Sequence, residues 1–174
     1  VLGADLSENS IAEANKNANE TLHFKVHDMR EPFEEKFDAI FNLFTSFGYF
    51  EDEADNLKTL IAIKDSLSET GFAVIDFMNV NQVIETLVPE EVKTVDQIEF
   101  HIKRYVKEGH IYKEISFEDQ GQNYHFTEKV RAFSLQDFQE LMDEAGIYLL
   151  DIFGDYKLKK FHKTDSERLI MIFK

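Results

Sequence analysis

Cysteine is absent from this chain, which removes a disulfide framework, a thiolate metal site and a cysteine nucleophile in one step. That usage suits a reducing, cytoplasmic location. Proline occurs only twice, and nothing in the composition marks a disordered tail. No apolar run approaches the roughly 18 residues that a membrane span needs, and the N-terminus shows no basic region followed by an apolar stretch. A soluble chain without a membrane partner is expected. Basic residues are scarce, 19 against 34 acidic ones, so the formal charge is −15 and polyanions are repelled from most of the surface. DNA and RNA are therefore not expected partners. The one dense basic cluster, Lys157-Leu158-Lys159-Lys160, reads as a solvated loop.

Apolar residues are plentiful. They make up 43% of the 174 residues, with 17 Phe among them, enough for one compact domain of the usual size of roughly 100–200 residues. Val1-Leu2-Gly3-Ala4-Asp5 reads as a short strand closed by an acid. Ser7 or Ser10 can then cap a helix carrying Ile11, Ala14 and Ala18 on one face. His23-Phe24-Lys25-Val26-His27-Asp28 alternates polar and apolar residues as a second strand does, and turns near Pro32. The nearly continuous apolar run over 37–44 predicts a strand covered on both faces, followed by the turn-prone Thr45-Ser46-Phe47-Gly48. Helical spacing over 52–68, closed by Gly71, and a buried strand over 72–77 complete an alternation that produces a parallel sheet with covering helices.

The middle of the chain changes character. After a short helix at about 80–87, three segments (98–107, 110–118 and 123–133) are rich in Tyr, Phe, Ile and His and separated by turns, which predicts a three-stranded antiparallel insertion. Ser134 caps a further helix that stops at Gly146, and strands over 147–153 and 168–173 bracket a charged loop. The domain organisation is thus an α/β core at 1–79, an insertion at 80–133 that serves as a substrate cap, and a closing helix and strand pair at 134–174.

In an open α/β sheet, ligands bind beyond the carboxyl ends of the strands. Asp5 ends a strand beside a helix N-terminus, where an acid can accept from the two hydroxyls of a ribose; a turn or capping role is the alternative. Asp28 could accept from an exocyclic amine while the Met29 N–H serves a ring nitrogen, or it could open a turn before Pro32. Phe44-Thr45-Ser46-Phe47-Gly48-Tyr49-Phe50 gathers four aromatics around two hydroxyls in a loop, which favours a ligand wall over core packing.

Taken in order and spacing, Val1-Leu2-Gly3-Ala4-Asp5-Leu6-Ser7, Asp28-Met29 and the run from Phe37 to Phe50 resemble a small-molecule branch of the class I S-adenosylmethionine (SAM) dependent methyltransferases. The resemblance implies a Rossmann-like, doubly wound, mostly parallel seven-stranded sheet whose C-terminal hairpin makes one strand antiparallel. It implies SAM as cofactor and a small molecule as methyl acceptor. Asp5 matches the acid that holds the ribose, with Leu6 beside the adenine. Asp28 and Met29 match the adenine-edge contacts, and Asn42, Leu43 and Phe44 the segment along the cofactor. Ser46, Phe47 and Tyr49 would face the methionine end or the acceptor. The departure is at the front, where the family has a first strand and a glycine-rich turn ahead of the strand at 1–5. That strand would lie between 1–5 and 37–44, so its omission leaves two inner edges unpaired. The expectation is that the chain is part of a longer protein whose preceding residues form that strand and turn; a segment of another molecule filling the gap and a rebuilt topology are the alternatives.

Methyl transfer from a sulfonium is an in-line displacement that orientation and water exclusion can accelerate without a dedicated base. Where an acceptor must lose a proton, His125, flanked by Tyr124 and Phe126 in the insertion, and Tyr49 are the candidates, alongside His101 and His110. Tyr124 and Arg131 are further acceptor-side candidates; for Arg131 a sheet-face ion pair to Glu128 or Glu118 is the simpler account. No metal site is expected, because His23 and His27 lie in a strand pattern that spreads them about 13 Å apart. An exposed sheet edge offers a route to a homodimer. Two competing readings stand beside the enzyme: a binding or structural domain of methyltransferase architecture without turnover, and a nicotinamide dehydrogenase using the same strand-end acid.

Overall fold

The structure is a computed structural model that describes residues 1–174. Strand β1 (Leu2–Asp5) leads through α1 (Glu8–Ala14) and a short 3-10 turn to β2 (His23–Val26), which pairs with β1 in parallel. Ser7 caps α1, its hydroxyl accepting from the Ser10 N–H at 3.2 Å. Then β3 (Phe37–Asn42), α2 (Ala54–Ser66) and β4 (Leu67–Met78) form a second crossover, with β3 and β4 parallel. The short helix α3 (Val80–Glu85) opens the insertion.

The insertion is a four-stranded antiparallel sheet in the order β5 (Glu90–Val95), β6 (Ile98–Lys107), β7 (His110–Asp119), β8 (Gln122–Arg131). It therefore holds one strand more than the expected three. β5 is exposed at every position, and so it lacks the buried alternation by which a strand is recognised in sequence. The chain closes with α4 (Leu135–Ala145), β9 (Leu149–Phe153) and β10 (Arg168–Phe173). As expected, α4 runs from a capping box, in which Ser134 and Asp137 bond each other's backbone N–H, to Gly146 in the left-handed region at φ 64°.

The core strands do not form the single sheet expected. β1 and β2 form one sheet, and β3-β4-β10-β9 form another, in which β10 runs antiparallel to both neighbours. No strand lies between β1 and β3 to carry hydrogen bonds across. Gly71 does not end α2 either: the chain leaves the helix at Leu67 in extended conformation. Gly71 instead sits where β4 passes the Phe37 carbonyl, and a Cβ there would lie 2.8 Å from that oxygen.

β4 is buried from Ala73 to Phe77, as its apolar run requires, and it passes through the main core. Phe47, Phe77, Phe133 and Phe138 interlock there with ring centroids 5.2–6.3 Å apart, joined by Leu60, Ile63, Met142 and Phe173. Ile111 and Val130 bring one face of the insertion into the same cluster, which fixes the insertion onto the strand-end side of β3 and β4. No helix is long and apolar enough to cross a membrane.

Candidate functional site

The strand ends meet through a chain of contacts. The Asp5 carbonyl accepts from the His27 N–H at 3.0 Å, joining the ends of β1 and β2. Beyond β2, Met29 Sδ accepts from Asn42 Nδ2 at 3.8 Å, reaching the end of β3. From β3 the Phe44 N–H donates to Asp76 Oδ2 at 2.9 Å, reaching the end of β4. The ends of β1, β2, β3 and β4 are thereby linked, with Asp76 buried behind Phe44.

At the β1 end, Asp5 is exposed. Its Oδ1 accepts from the Ser7 N–H at 2.7 Å, holding the turn into α1, while Oδ2 is left to the solvent. The turn bond thus occupies one oxygen of the carboxylate and leaves the other open. Leu6 stands exposed beside it. Asn42 is the complementary case: its Oδ1 is buried and accepts no hydrogen bond. A buried acceptor without a donor is costly, and a ligand N–H or O–H would relieve that cost.

Asp28 is engaged by Arg30. The guanidinium grips it through Nε at 3.0 and 3.1 Å and Nη2 at 2.6 Å, and the Arg30 N–H adds a fourth bond at 3.0 Å. These bonds hold the Asp28 carboxyl down at about 2, the Arg30 side chain being the largest cause. A carboxylate has about four acceptor positions, so an exocyclic amine at Asp28 would compete with the fork. Arg30 also bonds Asp55 Oδ2 at 2.6 Å and lies 5.6 Å from the Phe50 ring centre, tying the end of β2 to the start of α2.

The loop 43–50 divides in two. Phe44 is 76% exposed and Leu43 partly so, whereas Phe47 is fully buried. Phe47 packs between Phe133 and Phe138 and belongs to the core, not to a ligand wall. Ser46 is exposed, and its hydroxyl donates to the Leu43 carbonyl at 2.7 Å and braces the turn. Tyr49 is half-exposed, and partial burial together with Glu128 raises its phenol above the ordinary value. It stays protonated near neutrality, able to donate a hydrogen bond and poorly suited to act as a base.

The insertion separates the remaining candidates. Adjacent strand residues point to opposite faces, so the Tyr124 and His125 side chains face opposite sides of the insertion, although both border one groove of it. Tyr124 lies on the apolar face, stacked on Phe117 at 4.9 Å. His125 lies on the opposite face, its Nδ1 2.9 Å from Ser116 Oγ, and opens onto this groove of about 620 Å³, which it shares with His101, Glu99 and Glu118. That groove contains none of the strand-end residues. Val130, on the face opposite to His125, is the residue turned toward Gly48. His125 is therefore not directed at the acceptor side as its sequence setting suggested. Arg131 pairs with Glu53 at 3.0 Å and donates to the Gly109 carbonyl at 2.8 Å; Glu128, its expected partner, pairs with Lys113 instead.

Sequence reasoning places Asp76 among the strand-end residues but gives it no role, and it is the most buried ionic group here. Asp76 is 1% exposed and pairs with Arg168 at 2.7 Å, and it also accepts from the Tyr156 hydroxyl at 2.9 Å. An acid inside a continuous apolar strand was the available signal, since such a charge needs partners from elsewhere in the chain.

No protein-family model and no curated protein matches the chain. Solved structures do. A SAM-dependent methyltransferase from Clostridium acetobutylicum superposes with a TM-score of 0.85 at 20% identity, over 99% of this chain and 74% of that one. The chain has the fold of the SAM-dependent methyltransferases. The methyltransferase CcbJ from Streptomyces caelestis matches at 0.83 and 12% identity, over 100% of this chain and 74% of that one. CalS10, an amino pentose methyltransferase from Micromonospora echinaspora solved with SAM bound, matches at 0.71 and 14%, over 99% and 72%. Within this methyltransferase fold, the open oxygen of Asp5 and the orphaned Asn42 oxygen suit a ligand with ribose hydroxyls and polar hydrogens lying along the strand ends.

Proposed function

We propose that the chain is an enzyme that binds SAM along its strand ends and transfers the methyl group to a small-molecule acceptor. The observation that carries this reading is the buried Asn42 Oδ1, which accepts no hydrogen bond, at the strand ends of a methyltransferase fold where Asp5 Oδ2 also lies open to solvent. Asp5 would hold the ribose, with Leu6 beside the adenine and Asp28 and Met29 at its edge. Asn42, Leu43 and Phe44 would run along the cofactor. Ser46 and Tyr49 would stand on the acceptor side, with the insertion at 80–133 as a cap over it.

SAM, when bound, supplies a methyl group on a positively charged sulfur, so that the acceptor's lone pair forms the new bond as the carbon–sulfur bond breaks. The chain's contribution is orientation and exclusion of water. Solved matches that act on an amino pentose and on a sugar nitrogen support a small acceptor over a macromolecule. So does the charge of −15, which disfavours a nucleic acid.

A second reading, a binding domain without turnover, draws on the open position between β1 and β3 and on the full engagement of Asp28. Titration calorimetry with SAM and with its demethylated product separates the two at the first step: no heat at high ligand concentration counts against the enzyme. Asp5→Ala should weaken SAM binding by roughly 1.5–3 kcal/mol through loss of charge-assisted bonds. An unchanged affinity removes Asp5 from the site.

A further inference from the structure

The turn that leaves β3 is strained. Phe44 and Thr45 both adopt positive φ, 58° and 61°, a region that non-glycine residues avoid and that a β-branched residue such as Thr avoids most. Two such residues in succession persist only where the surroundings over-determine them, and such strain tends to collect at functional sites. Here the surroundings amount to one residue and its partners. Asp76 Oδ2 accepts from the Phe44 N–H at 2.9 Å, and the Asp76 carbonyl accepts from the Thr45 N–H at 2.9 Å. Arg168, bound to Asp76 Oδ1 at 2.7 Å, sends Nη2 to the Thr45 hydroxyl at 3.0 Å. Every fixed polar group of the strained pair therefore leads back to Asp76.

The same carboxylate reaches a second segment. Oδ2 also accepts from the hydroxyl of Tyr156, in the loop between β9 and β10, at 2.9 Å. The Tyr156 ring is nonetheless 62% exposed, and its centre lies 6.5 Å from that of Phe44. The two rings stand side by side at the surface while both are tethered to one buried oxygen. Arg168 neutralises the carboxylate, and its guanidinium carbon lies 5.9 Å from the Tyr156 ring centre.

We infer that Asp76 is a positioning residue for methyl transfer: by tethering Phe44, Thr45 and Tyr156 it fixes the cofactor-side strand end and the adjacent aromatic pair in one geometry. This rests on the SAM-site reading above. Asp76 need not touch SAM, because it acts through the backbone of the segment that would.

The test is calorimetric titration of the full chain with SAM, with ultraviolet titration of the tyrosines as a second readout. Asp76→Asn replaces an acceptor oxygen by a donor and should weaken SAM binding roughly tenfold. It should also bring the Tyr156 phenol, which burial and Asp76 now raise, down toward its ordinary value. Adding Thr45→Gly should recover much of the lost affinity, because glycine holds a positive φ without a tether. A merely structural role for Asp76 would not give that rescue. If Asp76→Asn does not fold, Tyr156→Phe decides, with a loss of roughly threefold expected from one hydroxyl bond. A folded Asp76→Asn that binds SAM as the wild type does overturns the inference, as does an absent rescue by Thr45→Gly or, where Tyr156→Phe decides, an unchanged affinity. No binding by the wild type overturns the SAM-site reading itself.

Discussion

Arg30 shows how one side chain can organise a strand end. It neutralises Asp28 on its own turn and reaches Asp55 at the start of α2, so the exit of β2 and the entry of α2 are set by a single guanidinium. Asp55 is shared with Lys58, whose ammonium is the larger cause of its lowered value, and so Arg30 is the decisive partner for Asp28 alone. The linkage has a definite sign. Asp28 falls from an ordinary 3.8 to about 2 in the folded chain, so its stabilisation is complete above about 3.8 and is lost as the pH falls through about 2. Arg30→Met should return Asp28 toward 3.8 and move the onset of acid unfolding to higher pH. Carboxylate carbon shifts followed by NMR across that range check it, and a variant in which Asp28 still titrates near 2 would refute the assignment.

At the scale of elements, α4 offers the clearest case of a boundary written in residue types. Its capping box and left-handed Gly146 fix both ends, and Phe138 and Met142 bury its inner face. Ser134→Ala should cost about 0.5–2 kcal/mol, seen as a lower midpoint in chemical denaturation with an unchanged slope. The core strands were legible in position, but not in burial: β3, whose apolar run predicts cover on both faces, has no buried residue and leaves Phe41 57% exposed. β5 was not legible even in position: its sequence Glu90-Glu91-Val92-Lys93-Thr94-Val95 buries nothing, and only the neighbouring β6 makes it a strand. The loop 43–50 was half legible. Its aromatic content announced something unusual, yet Phe44 and Phe47 differ only in which way the strained turn directs them, one to the surface and one to the core. The partners of Asp76 were beyond local reading, since Tyr156 and Arg168 lie 80 and 92 residues away.

For the whole molecule, the question is what joins the two core sheets. Val1 and Asp5 turn their carbonyls to β2, so the alternation of a parallel pair turns the peptide groups of Leu2 and Ala4 toward the other side, where no strand meets them. β3 likewise pairs only with β4. Two open edges cost little while solvated but cannot be buried without partners. Beyond β2 the links to the second sheet and its helix run through side chains: Asn42 to Met29, Arg30 to Asp55 and the Phe33 N–H to the Ser66 hydroxyl. Hydrogen exchange should therefore find the Leu2 and Ala4 amides fast in the 174-residue chain, while the central β4 amides of Ala73 to Phe77 exchange only with global unfolding. A chain extended at its N-terminus by a strand and a glycine-rich turn should slow Leu2 and Ala4 and raise SAM affinity together, because the added strand would fill the gap between β1 and β3 beside Asp5 and Asn42. Slow exchange at Leu2 and Ala4 in the 174-residue chain would show that the edge is already covered, and the two-sheet description would then fail.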